Sequence, residues 1–428
     1  MVEYDVIIVG AGILGLSTAY HIKSRHPNAQ VLVVDKLNAA GQANTARSSG
    51  AFRCLFYSRT NFILADSSVE FYRHLQDDLG VNLKLRWAGY LWLFDEQGYR
   101  QMQPVLKDLA RKGFQYEEYD GNELGKELNI QTNLTDDEEA QLMGLGNVHK
   151  GVLIPKAGLI DVDSLVDFYE SKFVKLGGKI QYGTEVENIV VEPCEPLGML
   201  GEPFFWQDSR AIGIRTDRGM IRTKKTIVAA GAWIPSLLDT LGIECYIKPK
   251  KRQVFSVKAN TDDLKKLLWT KGFSSVGCVP FTILPNPPVY FKPAPEEDAF
   301  WLSYGDEFPR AFELEENPQP EENFYQYGIY QVLMKYFPQF KNCQPFSAFA
   351  GLYAINTLDG QPVIFEENDL MVVGGASGSG IMKADAIGRI AAALHSDEEY
   401  ALLYGDRKFR VSDLGIKSRH VEPEKLVI

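Results

Sequence analysis

Residues 4–36 read YDVIIVGAGILGLSTAYHIKSRHPNAQVLVVDK. The apolar run at 6–9 meets Gly10, and Gly12 and Gly15 complete a G-x-G-x-x-G. Ile13, Leu14, Leu16, Ala19, Tyr20 and Ile22 then recur at helical spacing, and a second apolar run at 31–34 ends in Asp35. Strand, glycine turn, helix, strand and acid within about 30 residues are the parts of a βαβ dinucleotide unit. Gly10 turns the chain off the strand. Gly12 offers no Cβ, so a pyrophosphate can approach the backbone. Gly15 permits close packing of helix on strand. The helix start supplies N–H groups and partial positive charge to the phosphates. Asp35 can accept from ribose hydroxyls, and its charge opposes a 2′-phosphate, which disfavours NADP.

The chain has 428 residues, 45% of them apolar, enough for two domains or one large composite one. A net charge of −11 argues against a nucleic-acid partner. Cys54, Cys194, Cys245, Cys278 and Cys343 are widely spaced and form no C-x-x-C, so no metal is expected. Sparse cysteines fit a reducing compartment. A first strand that begins by residue 4 leaves no room for a leader, and a cytoplasmic protein is expected. No apolar run approaches the roughly 20 residues needed to span a bilayer; peripheral membrane contact is compatible with these features.

Beyond Asp35, LNAAGQANTARSSGAFRCLF reads as a loop lying against the ligand. Residues 60–79 and 98–112 have helical periodicity, 87–94 reads as a strand, and the acidic stretch 116–140 as surface helix and loop. In 151–178, Asp161 or Asp163 is the expected N-cap of a helix that stops at Gly177 and Gly178. Residues 193–209 read as a long hairpin tip. A buried run at 226–230 ends in Gly231, and 246–305 is β-like with many prolines. Residues 320–337 return to helix. LMVVGGASGSGIMKADAIGRIAAAL (370–394) gives strand, glycine loop and helix again. A dinucleotide unit that opens the chain and a second glycine loop that closes it imply a discontinuous ligand domain with a β-rich insertion.

In this order and spacing, VGAGILGLSTAYHI, TARSSGAFR, GLIDVDSLVDFY, IVAAGAW, KKRQVF, GLYAINTLDGQPVI and GGASGSGIMKADAIGR resemble the FAD-dependent D-amino-acid oxidase superfamily. The branch of glycine oxidase, sarcosine oxidase and archaeal dye-linked L-proline dehydrogenase is the most similar. The resemblance implies an α/β fold: a discontinuous doubly wound FAD-binding domain at 1–85, 150–240 and 345–428. A mainly antiparallel substrate-binding sheet is inserted at 86–149 and 241–344. It further implies that Gly10, Gly12, Gly15, Asp35 and Lys36 hold the ADP half, while Thr45, Arg47 and Ser48 run along the flavin. Val186 would meet the adenine, and Ala230 and Gly231 the pyrophosphate. Gly378, Gly380, Ile381 and Met382 would present N–H groups to the flavin O2 edge, where reduced flavin gathers negative charge. Sarcosine oxidases attach flavin to the cysteine of a C-x-Y segment. Gly351, Leu352 and Tyr353 stand there instead, and residues 41–50 hold no histidine, so FAD is expected to be non-covalent.

Flavin oxidation of an amine asks the protein to hold the substrate against the ring, exclude water and keep the amine neutral. A substrate carboxylate calls for a cation, and arginine offers a planar fork of two donors. Arg53 falls where sarcosine oxidase-like enzymes place that arginine. Tyr290, Trp301 and Tyr353 are expected to line the site. Lys383 is a further candidate, displaced by one from the lysine of the sarcosine oxidases' G-H-G-F-K, which aligns with Met382. FWLSY also puts Trp301 where those enzymes carry an oxygen-activating lysine. Its loss implies slow reaction with oxygen and a different electron acceptor: a dye, a quinone or an electron-transfer protein.

The expected function is FAD-dependent oxidation of a small secondary-amine amino acid, with L-proline first and sarcosine second. Three alternatives stay open. One is a peroxide-producing oxidase of glycine, sarcosine or D-amino acids. Another is an FAD-holding subunit or assembly factor active only in a homo- or hetero-oligomer. The third is a related 2-hydroxy acid or glycerol phosphate dehydrogenase, though a phosphate substrate would need more cations than Arg53 and Lys383 supply.

Overall fold

In the computed structural model, residues 3–306 and 310–425 are described. The opening strand, Glu3–Val9, is buried from Val6 to Val9 and sits at the centre of an eight-stranded sheet. Val31–Val34 and Gly219–Val228 flank it in parallel register, Val9 facing Val34 on one side and Val228 on the other. Lys179–Gln181 extends the sheet beyond Val31–Val34, and Leu370–Gly374 beyond Gly219–Val228. The strands reading as continuous apolar runs are those covered on both faces, as a parallel sheet requires. The helix Ile13–Arg25 packs on one face with Val162–Lys175 and Ala384–His395, all buried in one core cluster. Gly15 makes the close approach possible. A Cβ there would lie 1.9 Å from the Gly10 carbonyl oxygen.

The second sheet, also of eight strands, is mainly antiparallel. Its order runs Ser347–Asn356, Ile247–Lys258, Ala299–Tyr304, Val289–Ala294, Phe281–Ile283, Tyr90–Phe94, Lys150–Ile154, Glu117–Asp120, with one parallel pair between Phe281–Ile283 and Tyr90–Phe94. The architecture is the expected one, a mixed parallel FAD-type sheet plus a separate, mainly antiparallel sheet. Lys150–Ile154 and Ser347–Asn356 belong to this second sheet, although both fall inside the ranges expected for the first domain. Their partners come from chain segments 30 or more residues away, which a local reading does not supply.

Several local expectations hold. Asp161 caps the Val162–Lys175 helix through the Ser164 N–H at 2.9 Å. Val186–Pro193 and Ser209–Thr216 pair as a hairpin with 193–209 at its tip. Others differ. Glu117–Asp120, expected as helix or loop, is an exposed edge strand. A helix, Asp262–Leu268, interrupts the β-like stretch because Thr261 caps it and Leu264, Leu267 and Leu268 bury one face. The 320–337 helix begins as a π-helical segment, Phe324–Tyr330, before Gln331–Tyr336.

Candidate cofactor and active site

A cavity of about 450 Å³ runs between the two sheets. One end is the first glycine turn: Gly10, Gly12, Asp35, Lys36 and, across from them, Val186, Ala230 and Gly231. Its middle is lined by Thr45, Arg47, Ser48, Ser49 and Gly351. The other end carries Tyr290, Ser303, Tyr353, Gly378, Gly380, Ile381 and Met382. Of the residues the sequence assigns to a dinucleotide, all but Gly15 line this cavity; Gly15 acts beneath it by letting the helix approach.

The lining fits FAD. No side chain caps the Ile13–Arg25 helix at Gly12, so part of its first turn is open toward the cavity. The Ile13 N–H itself is held by Thr45 Oγ1 at 3.2 Å. Asp35 accepts the Ala11 and Leu37 N–H groups at 2.7 and 2.8 Å, which fixes its carboxylate at the end of its strand beside the turn. At the far end Gly380 opens a second uncapped start, Ile381–Lys383 leading into Ala384–His395. Tyr72 Oη donates to the Ile381 carbonyl at 2.9 Å and fixes that start from below. Gly378, at φ +82°, is where the Tyr353 ring comes close to the backbone, and a Cβ would lie 2.3 Å from it. Among the described residues, no cysteine or histidine lines the cavity. Cys54 is buried in the core, with its thiol pushed far up by burial.

The candidate substrate residues divide. Tyr290 and Tyr353 line the cavity, and burial raises the pKa of both phenols, so they stay neutral donors. Arg53 lies behind the lining, 6% exposed, its guanidinium 4.3 Å from the Phe56 ring and 5.5 Å from that of Trp92. Burial works against its charge, which Glu424 and Tyr90 support. Lys383 also lies behind the lining. It closes a 3₁₀ turn instead of a regular helical turn, and its side chain runs inward, with Nζ donating to Asn61 Oδ1 at 2.7 Å and Ser379 Oγ at 2.6 Å. Burial pushes it down to about 7. Trp301 does not line the cavity. Its indole donates to Glu297 and its ring carries the Lys292 ammonium 3.7 Å from the centroid. The cation missing at 301 therefore enters from the neighbouring strand, since Lys292 and Trp301 are register partners.

Three features escape a reading of the sequence. Arg252, within KKRQVF, lines the cavity, donates to Asp306 at 2.7 Å and lies 5.5 Å from the Tyr353 ring. Alternation along Ile247–Lys258 puts it on one face with Val254, which also lines the cavity. Leu314 and Glu316 reach the cavity from a surface loop, and Glu316 accepts from Lys36 and from Trp233 Nε1. The tail returns as well. Glu424 accepts from the Tyr57 and Ser58 N–H groups and from Asn61 Nδ2, and Glu422 from the Arg59 N–H, at the start of helix Arg59–Asp77.

A cavity joining two glycine loops beneath an antiparallel sheet defines an FAD-type oxidoreductase. The chain belongs to the FAD dependent oxidoreductase family, DAO, whose model matches residues 5–394. It is 24% identical to FAD-dependent oxidoreductase domain-containing protein 1 of Xenopus laevis, over 93% of this chain and 80% of that one. It is 27% identical to glycine oxidase of Pseudomonas aeruginosa, over 62% of this chain and 66% of that one. Its fold matches that of L-proline dehydrogenase from P. horikoshii with a TM-score of 0.73 at 20% identity, covering 96% of each chain. Among the described residues, no helix is long and apolar enough to cross a membrane.

Proposed function

We propose that this protein is an FAD-dependent dehydrogenase of a small secondary-amine amino acid, L-proline first, passing electrons to an acceptor other than oxygen. The observation that carries the substrate side is the buried guanidinium of Arg53, set against the Phe56 and Trp92 rings and near Tyr90, with the neutral Tyr290 and Tyr353 in the cavity lining. Such a pocket suits one carboxylate and a compact apolar ring. Bound FAD, held non-covalently, would accept the Cα hydrogen as a hydride equivalent. The protein's share is orientation by Arg53, donation by Tyr290 and Tyr353, and exclusion of water by Phe56, Tyr90 and Trp92, all buried. Lys383, pushed down to about 7, can hold or release a proton behind the lining.

A second reading, an oxidase, is favoured by one observation: Lys292 brings a cation to the ring of Trp301, where the sequence alone has none. Anaerobic bleaching of the yellow protein by L-proline, sarcosine, glycine and D-alanine in turn, followed by air, separates the two. Bleaching by L-proline with slow return of colour is the expected outcome. Rapid return would make it an oxidase, and no bleaching by any of the four would overturn the amino-acid reading. Arg53→Ala is expected to raise KM for the carboxylate substrate about 100-fold, on the order of 3 kcal/mol for a charge-assisted pair, with FAD retained. An unchanged KM would remove Arg53 from the clamp.

A further inference from the structure

Lys292 is the cation that the sheet brings to Trp301. It sits on Val289–Ala294, two residues beyond Tyr290, and so points to the same face of the sheet. The register pairs Tyr290 with Ser303 and Lys292 with Trp301, and both Tyr290 and Ser303 line the cavity. Its side chain is buried, and the ammonium donates to the Ser49 carbonyl at 2.8 Å and covers the Trp301 ring at 3.7 Å. Ser49 lines the cavity, so the ammonium stands one residue's thickness behind the wall. Among the described residues, no carboxylate lies within ion-pair distance of it; its hydrogen bond goes to a carbonyl, as do those of the buried Lys23 to Pro27 and Ala29, but Lys292 alone of the two stands beside the cavity lining. A buried charge whose direct contacts are a carbonyl and an indole, with Glu296 and Glu297 acting only from farther off, is expensive, and such groups gather at functional sites.

We propose that Lys292 is a positioning charge for the cofactor's redox state, offsetting the negative charge that the bound flavin acquires when it takes an electron pair from substrate. The argument is electrostatic. With the flavin running along Thr45, Arg47 and Ser48, as the resemblance implies, the charge it gains on reduction would be felt through the wall that Ser49 forms, and a cation a few ångströms behind a low-dielectric wall would stabilise it far more than one in water. Burial lowers the ammonium's pKa to about 8, with Glu296 and Glu297 acting in the other direction. The same cation–indole contact explains why Trp301 occupies its place: the indole face holds the ammonium without neutralising it. The inference rests on the cavity holding FAD and is independent of which substrate reduces it.

The test is the two-electron midpoint potential of the purified holoenzyme, equilibrated with a reference dye without substrate. Lys292→Met keeps the stem and removes the charge. It is expected to weaken the reduced form at least tenfold relative to the oxidised, a fall of about 30 mV. Lys292→Arg is expected to stay near wild type. A merely structural lysine would shift Tm or FAD affinity and leave the midpoint where it was, so an unchanged potential in Lys292→Met overturns the proposal. Should Lys292→Met not retain FAD, Lys292→Gln is read by the same two outcomes.

Discussion

Gly15 and Gly378 carry backbone constraints that no other residue meets. Gly15→Ala would press a Cβ into the Gly10 carbonyl at 1.9 Å, a backbone atom that cannot swing away. A loss of about 3 kcal/mol or more is expected, with FAD lost from the product, read by thermal melting and flavin absorbance. Gly378→Ala would meet first the Tyr353 ring, a side chain, but at φ +82°; a moved ring and weakened FAD binding are expected, with the fold kept. Lys383 gives a pH signature. Its folded pKa of about 7 lies below the ordinary lysine value of 10.5, so the unfolded chain binds more protons between these values and stability rises with pH across that window. Lys383→Met should lack this rise. Between pH 7 and 9 wild type should gain on the variant by about 2 kcal/mol, read from denaturant midpoints at both pH values. A constant difference would mean that Lys383 is not buried as a cation.

The segments that shape the site are held by their ends. Helix Arg59–Asp77 starts at Ser58, whose hydroxyl accepts the Asn61 N–H at 3.3 Å, and the tail adds two carboxylates to the same terminus. Glu424 and Glu422 take four donors there between them, a charge-assisted latch that also complements the helix dipole. Glu424→Gln is expected to lower stability by about 1–2 kcal/mol, measured by chemical denaturation, with a smaller loss for Glu422→Gln because it takes a single backbone donor there. Equal effects of the two would show that the latch works through chain connectivity and not through charge. The 193–209 tip behaves oppositely. Leu200 and Phe205 are fully exposed, and Glu202 holds the turn by accepting the Leu197 and Met199 N–H groups.

The two sheets meet across the cavity, and a surface carboxylate links them over it. Glu316, on the segment after the Ala299–Tyr304 strand, joins Lys36 and Trp233 of the first sheet's loops. Its side chain is 65% exposed, so the contact contributes about 1 kcal/mol or less. Glu316→Ala should therefore loosen FAD by no more than about fivefold, read by recovery of flavin fluorescence. A loss of a hundredfold would mean that the loop is part of the cofactor's binding surface proper. Burial of the ligand between layers, rather than this latch, is expected to dominate retention.

Local chemistry was enough for the nucleotide end. Residues 4–36 and 370–394 carry their own punctuation, glycines placed where backbones touch and apolar runs at strand and helix period, so both glycine loops and nearly all their lining residues were legible from spacing and resemblance. The helix at 162–175 and the hairpin at 186–216 were legible for the same reason, since caps and turns act within a few residues. The substrate end was decided by tertiary structure. Which strand neighbours which is set by pairing between distant segments, and that pairing left Trp301 outside the cavity wall, placed the Lys292 ammonium over its ring, set Arg252 into the lining, and enlisted Lys150–Ile154 and Ser347–Asn356 into the second sheet. A charge's role depends on what surrounds it in space, and a one-residue step along a strand reverses its face. For that reason the cofactor could be read from the chain alone, while the cations around the reacting end could be assigned only once the two sheets were in place.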